Sequence, residues 1–158
     1  MLHTSLHAPL IFRRATPADA AVISRHRYPE LDADHEAVTS YAAWVTRAME
    51  RNLYLGWVAE SVGEVVGGAG LMLLEWGPTR DDPNPWRGRI VNVYTAPVVR
   101  RQGIARLLLA HALQEARARG LHTLGLGTTE MARGLYKQAG FRPSGSELVR
   151  RPAPRPQD

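Results

Sequence analysis

The chain predicts a mixed α/β fold, and three observations carry that expectation. A β-rich run from Ile90 to Thr95 ends at Pro97, and an arginine-glycine turn leads from it into a long helix. In that helix Ala105, Leu108, Leu109, Ala112, Leu113 and Ala116 recur at i, i+3, i+4, i+7, i+8 and i+11, an apolar stripe of helical period. A further strand, His122 to Gly127, follows the helix, and a helical crossover of this kind makes the two strands it joins parallel.

The remaining elements read in order. A first strand is expected near Leu10 to Ala15, then helices near Pro17 to Arg27 and Glu36 to Arg51. Thr16 suits an N-cap and Pro17 the first helical position, where its missing N–H costs nothing. Two strands, Tyr54 to Glu60 and Val65 to Leu74, are joined by a short turn at Ser61 to Glu64. Arg89 to Thr95 is the fourth strand. The long helix spans Ile104 to Arg119, with Arg117 and Arg119 at its negative end and Gly120 where a helix stops. A short helix from Ala132 to Gln138 and a last strand near Ser146 to Arg150 complete the list. Residues 1–150 read as one domain, and 151–158 as a Pro-rich, disordered tail.

Composition removes several classes of function. At 158 residues and 44% hydrophobic, the chain can bury a core without staples. It has no cysteine, which excludes disulfides, thiolate catalysis and Cys-ligated zinc. No apolar run approaches the roughly 18 residues a membrane helix needs. The start, MLHTSLHAPL, lacks a signal peptide's basic and apolar regions, so a cytoplasmic protein is expected. The net charge is +5, and Lys137 is the only lysine. The arginines are spread along the chain with no basic helix, so specific nucleic-acid binding is not the expected role.

The turn Arg100-Arg101-Gln102-Gly103-Ile104-Ala105 offers backbone N–H groups at the positive end of a helix, with little side chain in the way at Gly103 and Ala105. That is an anion cradle suited to a phosphate or pyrophosphate. It lacks the Lys-Ser/Thr of a nucleotide P-loop and the glycine spacing of a Rossmann turn.

Arg100 to Ala105 resembles the R/Q-x-x-G-x-G/A signature of the GNAT superfamily, the acyl-CoA-dependent N-acetyltransferases. Ala132 to Phe141 is similar to that family's late A-x-x-L-Y-x-x-x-G-F signature, and Ile11 to Asp19 to its opening strand and cap. The resemblance covers roughly residues 10 to 150. It implies a central, mostly antiparallel sheet of six to seven strands with splayed parallel fourth and fifth strands and about four flanking helices. It further implies an N-acetyltransferase that moves an acetyl group from acetyl-CoA, its co-substrate, to a small-molecule or peptide amine by direct attack in a ternary complex. No metal is implied. A homodimer is left open, because dimers are common among relatives.

The resemblance assigns the CoA pyrophosphate to Arg100, Arg101, Gln102, Gly103, Ile104, Ala105 and Arg106, and the acyl-pantetheine to the backbone of Val93, Tyr94 and Thr95. Tyr136 falls where the family keeps its general acid. A phenol of pKa about 10 keeps its proton at neutral pH and so has one to give to a departing thiolate. Where many relatives carry a CoA-contacting Asn, this chain has Thr129. The strand presents Asn92 in place of an acid, so Glu75 and then Glu130 are the nearest candidates for a base. His111 and His122 read as structural. The acids among Glu30 to Glu36 suit a cationic acceptor, and the loop from Trp76 to Arg87 suits a lid. Gly67 to Gly70 reads as close packing. The rival readings are a non-catalytic acyl-CoA-binding regulatory module of the same fold and an arginine-rich nucleic-acid binder.

Overall fold

The computed structural model describes residues 9–153. Residues 1–8 and 154–158, which include the start of the chain and most of the expected tail, lie outside the described residues. Contacts divide the chain into two compact units, Met1–Gly127 and Thr128–Asp158.

The first unit is one five-stranded sheet in the order β1 (Leu10–Arg14), β2 (Tyr54–Ser61), β3 (Glu64–Glu75), β4 (Trp86–Thr95) and β5 (Leu124–Gly125). The first four strands are antiparallel neighbours, and β5 lies parallel to β4. The mixed sheet and its parallel fourth and fifth strands are therefore as the sequence implies. The count of six to seven strands is corrected to five among the described residues. Between Ser146 and Arg150 no strand forms. Only Leu148 and Val149 are apolar there, and both are exposed, so the segment has no buried face with which to join a sheet. The fifth strand is also shorter than expected, because only Leu124 and Gly125 pair, with Gly88 and Arg89.

Helices cover both faces of the sheet. One face carries α3 (Ile104–Ala118), whose Ile104, Leu108, Leu109, Ala112 and Ala116 are buried. The stripe is rotated slightly from the sequence expectation, with Ile104 taking the place of Ala105. On the same face a Cβ at Gly67 would meet Ile104 Cγ2 at 3.1 Å, so the glycine lets the helix lie close to β3. The other face carries α1 (Ala20–Arg27) and α2 (Glu36–Glu50), packed through Ala20, Ile23, Val45 and Ala48 against Tyr54 and Val58. A Cβ at Gly70 would run into the Tyr54 hydroxyl there.

Polar contacts fix the ends of the elements. Thr16 caps a single 3-10 turn, Pro17–Asp19, that leads into α1, and Pro17 takes its first position as expected. The Asp19 carboxylate accepts the Thr16 N–H at 2.8 Å and two Arg13 guanidinium bonds, also at 2.8 Å. Arg13 reaches Glu60 on β2 as well, at 2.7 Å. At the other end of the sheet, Asp82 accepts from the Thr123 hydroxyl at 2.7 Å and holds the start of β5 to the β3–β4 loop.

The second unit contains α4 (Arg133–Gln138), stopped by Gly140 at φ +96° as a helix-ending glycine requires. The rest of its described chain is irregular.

Candidate active site

β4 leaves its outer edge open over the half that leads to the anion cradle. Its pairing with β5 stops at Arg89. On the β3 side, Val91 faces Gly70 and Tyr94 faces Gly68, so β4 carries one residue more than its partner across this interval. That is a β-bulge, and Asn92 within it has φ +55°. Asn tolerates this left-handed conformation better than the β-branched residues around it. Beyond the bulge, the Ala96 N–H bonds back to Val66 O at 2.7 Å. Alternation along the strand then turns the N–H groups of Thr95 and Val93 toward the open edge.

A network from three other elements holds the bulge. The Asn92 amide donates to Tyr41 Oη at 2.8 Å and Tyr54 Oη at 2.9 Å, and its carbonyl oxygen accepts from Arg27 at 2.9 Å. Arg27 also lies over the Tyr41 ring, 4.6 Å from its centroid. Burial pushes both phenol pKa values up, so both hydroxyls keep their protons. Next along the strand, the Tyr94 ring stacks on His26 of α1 with centroids 4.0 Å apart. Burial, and then the charge of Arg25, lowers the His26 pKa.

The cradle forms at the start of α3. Gly103 is the N-cap with φ +75°, and the first bond of the helix runs from Leu107 N to Gly103 O. The N–H groups of Gly103, Ile104 and Ala105 therefore point out of the helix end without helical acceptors. Arg101 is also left-handed, at φ +68°, and Arg100 Nε donates to Thr95 O at 3.3 Å, which ties the turn to the open edge of β4. Thr95 Oγ1 is buried with no hydrogen-bond partner among the described residues.

The architecture has known counterparts. A family model described as the Acetyltransferase (GNAT) family matches residues 19–141. The chain belongs to this family. A GCN5-related N-acetyltransferase from Ralstonia eutropha is 31% identical, with a TM-score of 0.80, covering 92% of this chain and 100% of its own. A predicted acetyltransferase from Clostridium acetobutylicum, determined with acetyl-CoA, shares the fold at 23% identity and a TM-score of 0.83, over 90% of this chain and 96% of its own. Glucosamine-6-phosphate N-acetyltransferase from Arabidopsis thaliana shares it at 10% identity and a TM-score of 0.72, over 90% and 98%. No curated protein matches the chain in sequence.

In this GNAT chain the expected cofactor residues of the first unit form one continuous strip. Val93, Tyr94 and Thr95 on the open edge run into Arg100 to Arg106 at the cradle. The strip fits acetyl-CoA on two counts: helix-end amides suit a diphosphate, and the buried Thr95 hydroxyl lacks a partner. Glu75 is not brought to this strip. It is exposed at the end of β3 opposite Trp86, and the strand from Gly68 to Glu75 covers ~23 Å at about 3.3 Å per residue. The loop between Trp76 and Pro85, closed by the Trp76 N–H on Pro85 O, lies at that same far end of β4. Trp86 and Arg87 of the expected lid belong to the strand instead. A cleft of about 410 Å³ also lies there, lined by Arg51, Leu73, Trp86 and Arg119. His111 and His122 are exposed, as are the acids from Glu30 to Glu36.

In the second unit, Tyr136 is buried on α4 with Phe141 edge-on to it, ring centroids 6.1 Å apart, and burial raises its pKa. Thr129 is exposed, and Glu130 lies 3.6 Å from Arg133.

Sequence reasoning missed Arg27, Tyr41, Tyr54 and His26. Asn92 carried the one signal available: an Asn among β-branched residues is out of place in a regular strand and suits a bulge.

Proposed function

We propose that this chain transfers an acetyl group from acetyl-CoA to an amine, by direct attack in a ternary complex. The observation that supports it most is the open β4 edge running into the unsatisfied amides of α3. When bound, acetyl-CoA supplies an activated thioester. The N–H groups of Gly103, Ile104 and Ala105 bind its diphosphate, with Arg100, Arg101, Gln102 and Arg106 adding side-chain donors. The Val93 N–H on the open edge stabilises negative charge developing on the carbonyl oxygen, and Tyr94 and Thr95 line the pantetheine. Tyr136 protonates the departing thiolate, a role that rests on the family motif, and Thr129 stands where relatives contact CoA. Burial keeps the Tyr136 hydroxyl protonated at neutral pH, so a proton stands ready as charge develops on the sulfur, although the phenol is a weaker acid than a thiol. The acceptor is a small-molecule or peptide amine.

Acetyl-CoA binding followed by calorimetry, together with thiol release over a panel of amines, tests this reading. Binding plus amine-dependent release is expected. Binding without release from any amine would instead favour the acyl-CoA-binding module, and no binding at all would overturn both. In Tyr136→Phe, kcat should fall on the order of 100-fold with CoA affinity retained. Full activity would remove Tyr136 from the mechanism.

A further inference from the structure

Glu75 lies far along β3 from the bulge, so the proton of the incoming ammonium needs another destination. The carbonyl of a thioester bonded to the Val93 N–H lies near the plane of the sheet, and a nucleophile attacks a carbonyl from above or below its plane. One face of the sheet is closed there, because Ile104 and Leu108 of α3 press on Gly67 next to the bulge. The attack is left to the face that carries α1.

On that face Arg27, Tyr41 and Tyr54 hold the bulge through Asn92, and His26 packs on the next stretch of the reacting strand. Its ring stacks on Tyr94, two residues past Asn92. On its inner side, toward β2 and β3, it lines a mostly apolar cavity of about 10 Å³ with Ile23, Tyr54, Trp57 and Asn92. Neither ring nitrogen has a hydrogen-bond partner among the described residues. Arg25 and Arg27 flank it on α1, Tyr94 and Asn92 face it from β4, and Tyr54 faces it from β2. The tyrosines Tyr41 and Tyr54 hold their protons through neutral pH.

We infer that His26 is a catalytic residue, accepting the ammonium proton of the acceptor directly or through one water as the amine reaches the thioester. This rests on the acetyl transfer proposed above. The step balances without a further reactant. R–NH3+ gives one proton to the imidazole, which passes it to solvent. The free amine pair forms the C–N bond, the C–S bond breaks with its pair on sulfur, and the second N–H proton ends on the thiolate. Burial, with the charge of Arg25, keeps the imidazole neutral and so open to a proton.

The test compares His26→Gln and His26→Ala with the native chain, both checked for unchanged melting and acetyl-CoA binding. His26→Gln should lower kcat on the order of 100-fold, leave the KM for acetyl-CoA alone, and remove the acidic limb of the kcat/KM profile. Added imidazole should restore part of the His26→Ala rate. NMR titration of the His26 ring in the acetyl-CoA complex should give a midpoint below the ordinary 6.5. Native kcat with the acidic limb intact in His26→Gln would overturn the inference while leaving acetyl transfer standing. A native chain that transfers acetyl to no amine would overturn both.

Discussion

Asn92 concentrates the residue-scale chemistry. Its left-handed backbone makes the bulge, and its amide joins α1, α2 and β2 through Arg27, Tyr41 and Tyr54. Asn92→Ala leaves the buried Tyr54 hydroxyl without its donor and should cost about 2–3 kcal/mol in urea unfolding. Its kcat should fall further than its stability alone implies, since the Val93 amide loses its aim. A loss within about 0.5 kcal/mol would show that the network holds nothing. Gly103 makes a different case. Nothing lies within 4 Å of a Cβ built there, yet φ is +75°, so the objection to a side chain is conformational. Gly103→Val should fold and weaken CoA binding by at least tenfold in calorimetry, by distorting the turn that aims the amides. Gly103 was legible in the sequence because a turn is a local feature. His26 and Tyr41 were not, because they meet β4 only through packing between residues far apart in the chain.

Among the elements, the entry to α1 carries a pH-dependent joint. The Arg13 guanidinium holds the Asp19 carboxyl below its ordinary range, with the Thr16 N–H adding to the effect. A carboxyl whose pKa is depressed in the folded state stabilises the fold above its unfolded pKa, near 3.8, and loses that contribution as pH falls through the lower folded value. Asp19→Asn should therefore cost about 1–3 kcal/mol at pH 7, and the gap between variant and native chain should close as the pH falls below the ordinary carboxyl range. A gap that persists in acid would mean that packing, not charge, explains the loss. The same scale shows where sequence reading ran short. The long helix was legible because its stripe repeats every turn. The last expected strand failed because strand-forming residues pair only where a buried face exists, and Leu148 and Val149 are exposed.

Across the whole first unit, helices press on both faces of the sheet while half of one strand edge stays open. The family and its fold were readable from two short motifs. The splay of β4 from β5 was not, because it depends on where pairing stops between segments separated by an entire helix. The net charge of +5 has a consequence for a ligand bearing several phosphates. CoA affinity should fall several-fold as salt rises from roughly 0.05 to 0.5 M, as screening shortens the field. An affinity indifferent to salt would mean that the arginines around the cradle do not act on the ligand.

The structure of the complex with acetyl-CoA tests the central claim most directly. The diphosphate should lie within hydrogen-bond distance of the Gly103, Ile104 and Ala105 amides, and the acetyl carbonyl should accept from Val93 on the open edge of β4. A diphosphate seated in the cleft beside Trp86 and Arg119, or a thioester away from the bulge, would contradict it.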